Sequence, residues 1–465
     1  MADVGEFSVR ADRAQRGEAA RARVSFDALA VLGAAGRDPI ELLRQQDLQR
    51  IPELLPVRYG RMASSPFAFY RGGAALMADD LSRTPNSGLR TQLCGDAHLS
   101  NFGIFATPER RLTFDVNDFD ETYPGPFEWD VKRLVASIEV AARESGFGGK
   151  RRHRIVLACV AAYRETMREQ AGLGNLAVWY AHVEAEQELA DLRDTLDAAS
   201  RKSSRKLLEK SWRRGSLQAL GKLTEVSDGH RRIVSRPPLL VPIEEVFGGH
   251  DAQSLYRELE ARLSEYRATL RPDHRVPFDQ YRFVQAARKV VGVGSVGTRS
   301  WILLMLGADD GDPLFLQAKE ARPAVLAKYL DGPECANQGR RVVEGQRIMQ
   351  AASDVFLGWQ QGPGYDGAQR DYYVRQLRDA KGSPSIETMT PIGLEQYGRL
   401  CGRVLGYAHA RGGDRIAIAA YLGSGAGFDD AMATFARAYA DRTETDHAAL
   451  VSAVADGSVT ADATT

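Results

Sequence analysis

The sequence predicts an α+β fold, and three observations carry that prediction. Short apolar runs bounded by turn residues cluster at 89–116 and again at 278–377, as strands of small antiparallel sheets do. Between and beyond them apolar residues recur at helical spacing, as at 131, 134, 135, 138 and 142, and through 394–409. The chain has 465 residues, long for a single core, so two or three domains or lobes are expected.

The elements follow in order. Residues 1–45 are charged and Ala-rich and read as an N-terminal extension, mobile at first and leading into a helix near 39–50. Residues 52–71 mix Pro, aromatics and Arg and read as irregular structure packed on a core, followed by a short helix at 74–80. A strand at 89–93 feeds a Gly95-Asp96 loop, and strands at 102–105 and 112–116 flank a turn at 107–111. Residues 121–127 hold three breakers and read as a loop. A helix over 129–143 starts with Asp130, where a carboxylate suits the helix dipole, and another covers 154–171.

Residues 177–220 read as mostly helical. There Lys202, Lys206, Lys210 and Arg213 share one face, read as solvated rather than as an anion dock, with Leu207, Leu208 and Trp212 turned inward. Pro237, Pro238 and Pro242 read as a linker-like break. Near 278 the character changes. A strand ends before Gly292, others cover 301–306 and 314–318, and the last runs into Lys319-Glu320. Helices are expected from about 323 and over 339–352, strands at 354–359 and 372–377, and a disordered tail over 451–465. The expected divisions are 1–45, 46–275, 276–385, 386–450 and 451–465.

Composition narrows the function classes. Hydrophobic residues make up 44% and charged ones 26%, as in ordinary globular chains. Lys plus Arg and Asp plus Glu both number 61, so no global field would gather nucleic acid or an acidic membrane surface. No run is long and apolar enough to cross a bilayer, and residues 1–7 lack the order of a signal peptide. Cys94, Cys159, Cys335 and Cys401 form no C-x-x-C pair, which argues against a zinc site or disulfide framework. A cytoplasmic protein without nucleic-acid or membrane partners is expected.

Two constellations carry chemistry. The first is Gly95-Asp96-Ala97-His98-Leu99-Ser100-Asn101 with Asp118. The hairpin at 102–116 would hold an Asp, an Asn and a second Asp at one end. Phosphoryl transfer needs such a set: one carboxylate orients or deprotonates an acceptor, while an amide oxygen and a second carboxylate hold magnesium against phosphates. His98 stands either as a contact to acceptor or phosphate or as a buried structural histidine. Asp120 or Asp115 would stand behind the metal ligands.

The second constellation is Gly292-Val293-Gly294-Ser295-Val296-Gly297, followed by an apolar run from Trp301. A dinucleotide fold would place a helix after these glycines, and the apolar run argues against one. Strand, Gly loop, strand is the arrangement that lays a flap over nucleotide phosphates, since backbone amides must approach closely. Lys319 ends the next strand, where it could reach the α- and β-phosphates. A carboxylate would hold it: Glu344 is the first candidate and Glu320 the lesser one, because neighbouring strand residues face opposite ways.

Together these stretches resemble the protein-kinase-like superfamily, in particular its aminoglycoside-phosphotransferase-type branch, whose G-D-x-x-x-x-N loop precedes a strand ending in a metal Asp. Gly95-Asp96, Asn101 and Asp118 match that pattern. More closely, Gly95 to Gly103, Asn117 to Glu121 and Gly292 to Lys319 resemble the bacterial domain-of-unknown-function family 2252 over roughly 40–450.

The resemblance implies a two-lobe kinase-like fold, with a large helical C-lobe and a small antiparallel-sheet nucleotide lobe. The resemblance implies that this fold would be circularly permuted, because the loop that matches the catalytic one precedes the Gly loop. The helix at 394–409 would then pack beside 89–130. The resemblance further implies an ATP- and Mg²⁺-dependent phosphotransferase acting on a small-molecule or protein hydroxyl. Asp96 and His98 would be catalytic, and Asn101, Asp118 and Asp120 would serve the metal. Gly292, Gly294, Ser295, Gly297, Lys319 and Glu344 would serve the nucleotide. A nucleotide-binding module without transfer and a nucleotidyltransferase are the alternatives. Cys94 occupies the place of a kinase His, so its support must come from elsewhere. His409-Ala-Arg-Gly-Gly-Asp414 mimics a catalytic loop, lacks the Asn, and reads as a helix stop.

Overall fold

The computed structural model describes residues 9–33, 36–227, 229–248, 252–290, 292, 294, 296–363, 367–377 and 379–462. The strands are β1 (Arg90–Leu93), β2 (Phe102–Ala106), β3 (Leu112–Val116), β4 (Tyr123–Pro126), β5 (Thr224–Ser227), β6 (His230–Ile233), β7 (Leu240–Pro242), β8 (Arg282–Lys289), β9 (Ser300–Leu306), β10 (Pro313–Ala321), β11 (Gly358–Pro363) and β12 (Gln369–Gln376). The result is the expected mixed α+β architecture: helices dominate, and the sheets are small and antiparallel.

Among the described residues the largest sheet has the order β11-β12-β10-β9-β8-β7. The Gly loop joins β8 to β9, which pair antiparallel, and β10 pairs with β9 on one side and β12 on the other. Lys319 is therefore a central-strand residue, opposite Ser300 and Tyr373. Alternation along β10 puts Leu314, Leu316 and Ala318 in one apolar cluster and Phe315 in another, so the sheet is covered on both faces.

The helical part carries the first constellation. β2 and β3 form the expected hairpin, whose turn places Arg110 at φ +62°. The helix Glu128–Glu144 lies at its base, with Trp129, Val131, Leu134, Val135 and Ile138 buried. The helix Pro391–Gly412 packs along Gly149–Gly172. Glycine permits that approach, since a Cβ on Gly402 would stand 2.2 Å from the Cys159 carbonyl oxygen. The same helix reaches the 89–130 segment: the Tyr397 hydroxyl donates to the carbonyls of Leu99 (2.9 Å) and Phe102 (3.1 Å).

Several expectations need correction. Residues 10–30 are not a mobile extension. The helices Arg10–Arg23 and Phe26–Ala30 pack on Arg415–Leu422 and Gly427–Ala455, and a Cβ on Gly17 would meet the Ala417 carbonyl at 2.0 Å. The described part of the tail is ordered too: the last helix runs to Ala455, and Val459 is buried beside Leu450. Residues 463–465 lie outside the described residues.

Residues 52–71 are helical, because their prolines sit in first turns, where no N–H is needed, and their aromatics point inward. Residues 123–126 form β4, paired among the described residues with β1 alone, so its prolines cost no ladder bond on a second side. Pro242 ends edge strand β7 in place of a linker. The helix expected from 323 is one 3₁₀ turn, Val325–Lys328. Lys202, Lys206, Lys210 and Arg213 are exposed, as a solvated face requires, but Trp212 is exposed as well and donates to Glu186. Among the described residues no helix is long and apolar enough to cross a membrane.

Candidate active site

The Gly95-Asp96 loop is held from below. The Asp130 carboxylate accepts the amides of Cys94 (2.8 Å) and Gly95 (3.0 Å), and His409 Nε2 lies 3.2 Å from the same carboxylate. Asp130, with His409 against it, thus holds the backbone on which Cys94 and Gly95 stand. The mimic at 409–414 is a helix stop, as expected: the helix ends at Gly412, and Asp414 caps the next one. Gly95 is required where it stands, with φ +81° and the Glu121 carbonyl 2.0 Å from any Cβ.

Asp96 is gripped on one oxygen. Arg133 Nε donates to Oδ1 at 2.8 Å and Nη2 lies 2.7 Å from it, leaving Oδ2 facing His98 Nε2 at 3.7 Å. Burial raises the Asp96 carboxyl above its ordinary range and outweighs Arg133. Burial, with Arg133 and Arg71 nearby, holds His98 well below its ordinary value, so its imidazole is neutral. His98 is 5% exposed and its Nδ1 has no hydrogen-bond partner among the described residues. Asn101 spends its amide N–H on the Asp96 carbonyl (2.6 Å), which leaves its side-chain oxygen free to accept or ligate.

Beyond the hairpin, Lys319 meets the first constellation directly. Its Nζ ion-pairs with Asp120 and lies 3.8 Å from Asp118 Oδ2. The Tyr373 hydroxyl donates to the other Asp120 oxygen at 2.7 Å. Burial alone would lift Asp120, but Lys319 and the hydrogen bonds from Lys319 and Tyr373 bring it below its ordinary value. Burial and Asp120 push Asp118 up. For Lys319 the two carboxylates outweigh burial and keep the ammonium charged.

Glu344 is not the partner of Lys319. It stands about 200° round its helix from buried Val342, half exposed, and accepts from Arg340 at 2.7 Å. Arg341 is the residue of that helix turned inward, donating to the carbonyls of Thr122, Asp120 and Arg322. Glu320 pairs with Arg299, on the other face of β10 from Lys319, as alternation requires. Asp115 is structural, accepting the amides of Ala351 and Val116.

The Gly loop comes down on the same place. Gly292 and Gly297 have φ +64° and +85°. A Cβ on Gly294 would stand 3.2 Å from the Arg71 carbonyl. Arg50 Nη1 donates to the carbonyls of Gly294 (2.9 Å) and Val296, and the Ile51 amide to that of Gly297 (2.8 Å). Ser295 lies outside the described residues. Asp96, His98, Asn101, Asp118, Asp120, Gly292 and Gly294 all line one cavity of about 120 Å³, with Arg50, Arg71, Thr298 and Arg322 on its remaining wall. A neighbouring cavity of about 460 Å³ shares Arg50, Asp120, Glu121 and Arg322.

Among the described residues no three His, Cys, Asp or Glu side chains group as a metal site. The donor set is instead two carboxylates and an amide oxygen, which fits a hard cation that takes its other ligands from phosphates and water. Sequence reasoning missed Arg133, Arg50, Arg71, Arg322 and Tyr373. Nothing local marks them, and only the fold brings them to Asp96 and the Gly loop.

No curated protein and no solved structure matches the chain. The model of one bacterial family, DUF2252, described as uncharacterized protein conserved in bacteria, matches residues 50–453. The chain therefore belongs to the DUF2252 family.

Proposed function

We propose that this chain is an ATP- and Mg²⁺-dependent phosphotransferase acting on a hydroxyl acceptor, on a kinase-like two-lobe fold in circularly permuted order. One observation carries the reading: Lys319, reached through the Gly-loop strands, sits against Asp118 and Asp120, and Asp96 and Asn101 line the cavity that both carboxylates share with the Gly loop.

Asn101 and Asp118 would hold the cation, with Asp120 beside them. ATP bound with magnesium supplies the transferable phosphoryl group. Lys319 would exchange part of its carboxylate contact for phosphate oxygens. The Gly loop amides would cover those oxygens without a Cβ to block them. Asp96 Oδ2, free of Arg133, would accept the acceptor's hydroxyl proton as the new P–O bond forms and the bond to ADP breaks. Arg133 holds the carboxylate in place, and Asp130 holds the loop.

The test is incubation of the protein with Mg²⁺ and ATP labelled at the γ-phosphate, and in parallel at the α-phosphate, against a panel of small alcohols, sugars and Ser/Thr peptides. Label from the γ-position on an acceptor is the expected result. Label only from the α-position means nucleotidyl transfer. Nucleotide binding with neither label transferred means a binding module.

A further inference from the structure

Two kinds of cation line the catalytic cavity. Arg50 belongs to the Gly loop, whose carbonyls it binds, and Arg322 lines the neighbouring cavity beside Arg50 and Asp120. Arg71 has its backbone against the Gly loop, its carbonyl 3.2 Å from where a Cβ on Gly294 would stand, but its guanidinium makes no bond there among the described residues. Arg71 lines the cavity with Asp96 and His98, and it also lines a separate cavity of about 670 Å³; among the described residues it alone lines both. That volume suits a small molecule.

The Arg71 guanidinium makes no hydrogen bond or ion pair among the described residues, and its Nε is buried without a partner. Glu387, the carboxylate whose charge acts most on Arg71, is exposed and forms no ion pair with it. Glu144, also lining the larger cavity, accepts the Phe67 amide at 3.1 Å. Beside Arg71, His98 Nδ1 is a second buried group with no partner.

Arg71 is half-buried, and its buried Nε has no partner among the described residues; a buried donor left empty is costly, and the planar guanidinium fork matches a carboxylate or phosphate. We propose that the acceptor is a small hydroxyl compound carrying an oxyanion group, and that Arg71 holds this group beside Asp96 while the hydroxyl faces Asp96 Oδ2. The inference rests on the phosphotransferase reading and narrows its substrate class. It disfavours cationic acceptors, which would face Arg71 and Arg61 on entry.

Calorimetric titration of the full chain with inorganic phosphate, at fixed ionic strength, tests it. A parallel titration with acetate separates a phosphate ligand from a carboxylate ligand, and either one binding supports the proposal. Phosphate or acetate is expected to bind both the free protein and protein saturated with Mg²⁺ and a non-hydrolysable ATP analogue. R71M should weaken that binding by about tenfold or more. R71K should retain part of it, and E387Q should leave it intact. Circular dichroism checks that each variant is folded.

Displacement of the anion by the ATP analogue would overturn the proposal, because Arg71 would then serve the triphosphate. So would unchanged binding in R71M, or no binding of either anion. Failure of the analogue to bind at all would instead count against the nucleotide reading, while the anion titrations still decide the Arg71 site.

Discussion

Lys319 Nζ and Asp118 Oδ2 lie 3.8 Å apart, joined through Asp120, which is 199 residues from Lys319 in the chain. The Lys319 side chain is 3% exposed, so its charge depends on those carboxylates. Lys319→Met should cost about 3 kcal/mol of stability, because two carboxylates lose their cation. K319M with Asp120→Asn should recover part of that loss, because one of the stranded charges is gone. ATP affinity should be lost in both. Denaturant unfolding together with calorimetric titration of ATP and Mg²⁺ separates the two effects.

Asp96 should set the acid limb of the reaction. Its folded-state carboxyl titrates above the ordinary value of 3.8 because burial outweighs Arg133. The reactive form is the carboxylate, so kcat/KM should rise with pH through that raised value and level off above it. Asp96→Asn should lower kcat by roughly 10²–10⁴-fold while nucleotide binding persists. Arg133→Met should move the acid limb further up, because it removes the favourable charge. A pH–rate profile of wild type and R133M reads both signs, and an unmoved limb in R133M would exclude Asp96 as its origin.

Arg50 should govern how firmly the Gly loop is seated. Its guanidinium binds the carbonyls of Gly294 and Val296, and the Ile51 amide binds Gly297. Charge-assisted hydrogen bonds contribute about 1.5–3 kcal/mol each. Arg50→Ala should therefore speed amide exchange in peptides spanning 290–299 by about tenfold or more. Exchange in β2 and β3, on the helical side, should stay unchanged. Hydrogen–deuterium exchange by mass spectrometry reads both regions in one experiment, and uniform acceleration would mean global destabilisation instead.

The parts of this fold that were legible in the sequence are those set by short-range pattern. The 102–116 hairpin, the helices at 129–143 and 394–409, and the Gly-loop strands each follow from local periodicity and breakers. What stayed hidden depends on contacts between distant segments. The small residues at 17 and 20 look like a mobile Ala-rich start until the helix Arg415–Leu422 is set against them. Prolines at 52, 56 and 66 read as marks of irregular structure when their neighbours are unknown, yet they sit in the first turns of helices. The site divides in the same way. Asp96, Asn101, Asp118 and Lys319 stand out by motif, whereas Arg133 and Arg71 are ordinary arginines until the fold sets them against Asp96 and His98. Glu344 failed because the phase of its helix, which turns that residue to solvent, is set by packing.

Lys132 offers a test of the helical core away from the site. It is fully buried on the helix Glu128–Glu144, its Nζ has no hydrogen-bond partner among the described residues, and it lies 4.7 Å from the Phe435 ring centre. Burial, only partly offset by Glu128, brings its pKa down to about 8. At pH 7 the folded protein must hold this ammonium in a dry core. Between about pH 8 and the ordinary lysine value of 10.5 the folded amine is neutral while the unfolded one is still charged. The unfolded state then binds more protons, so stability contributed at this position rises with pH across that window. Lys132→Met keeps the aliphatic length and removes the charge. It should stabilise the protein by roughly 1–3 kcal/mol near pH 7, and the gain should shrink as pH passes 8. Thermal unfolding of wild type and K132M at pH 6.5 and 9.5 measures the difference. An advantage that grows with pH would show instead that the ammonium is well paired in the folded protein, its pKa raised rather than lowered.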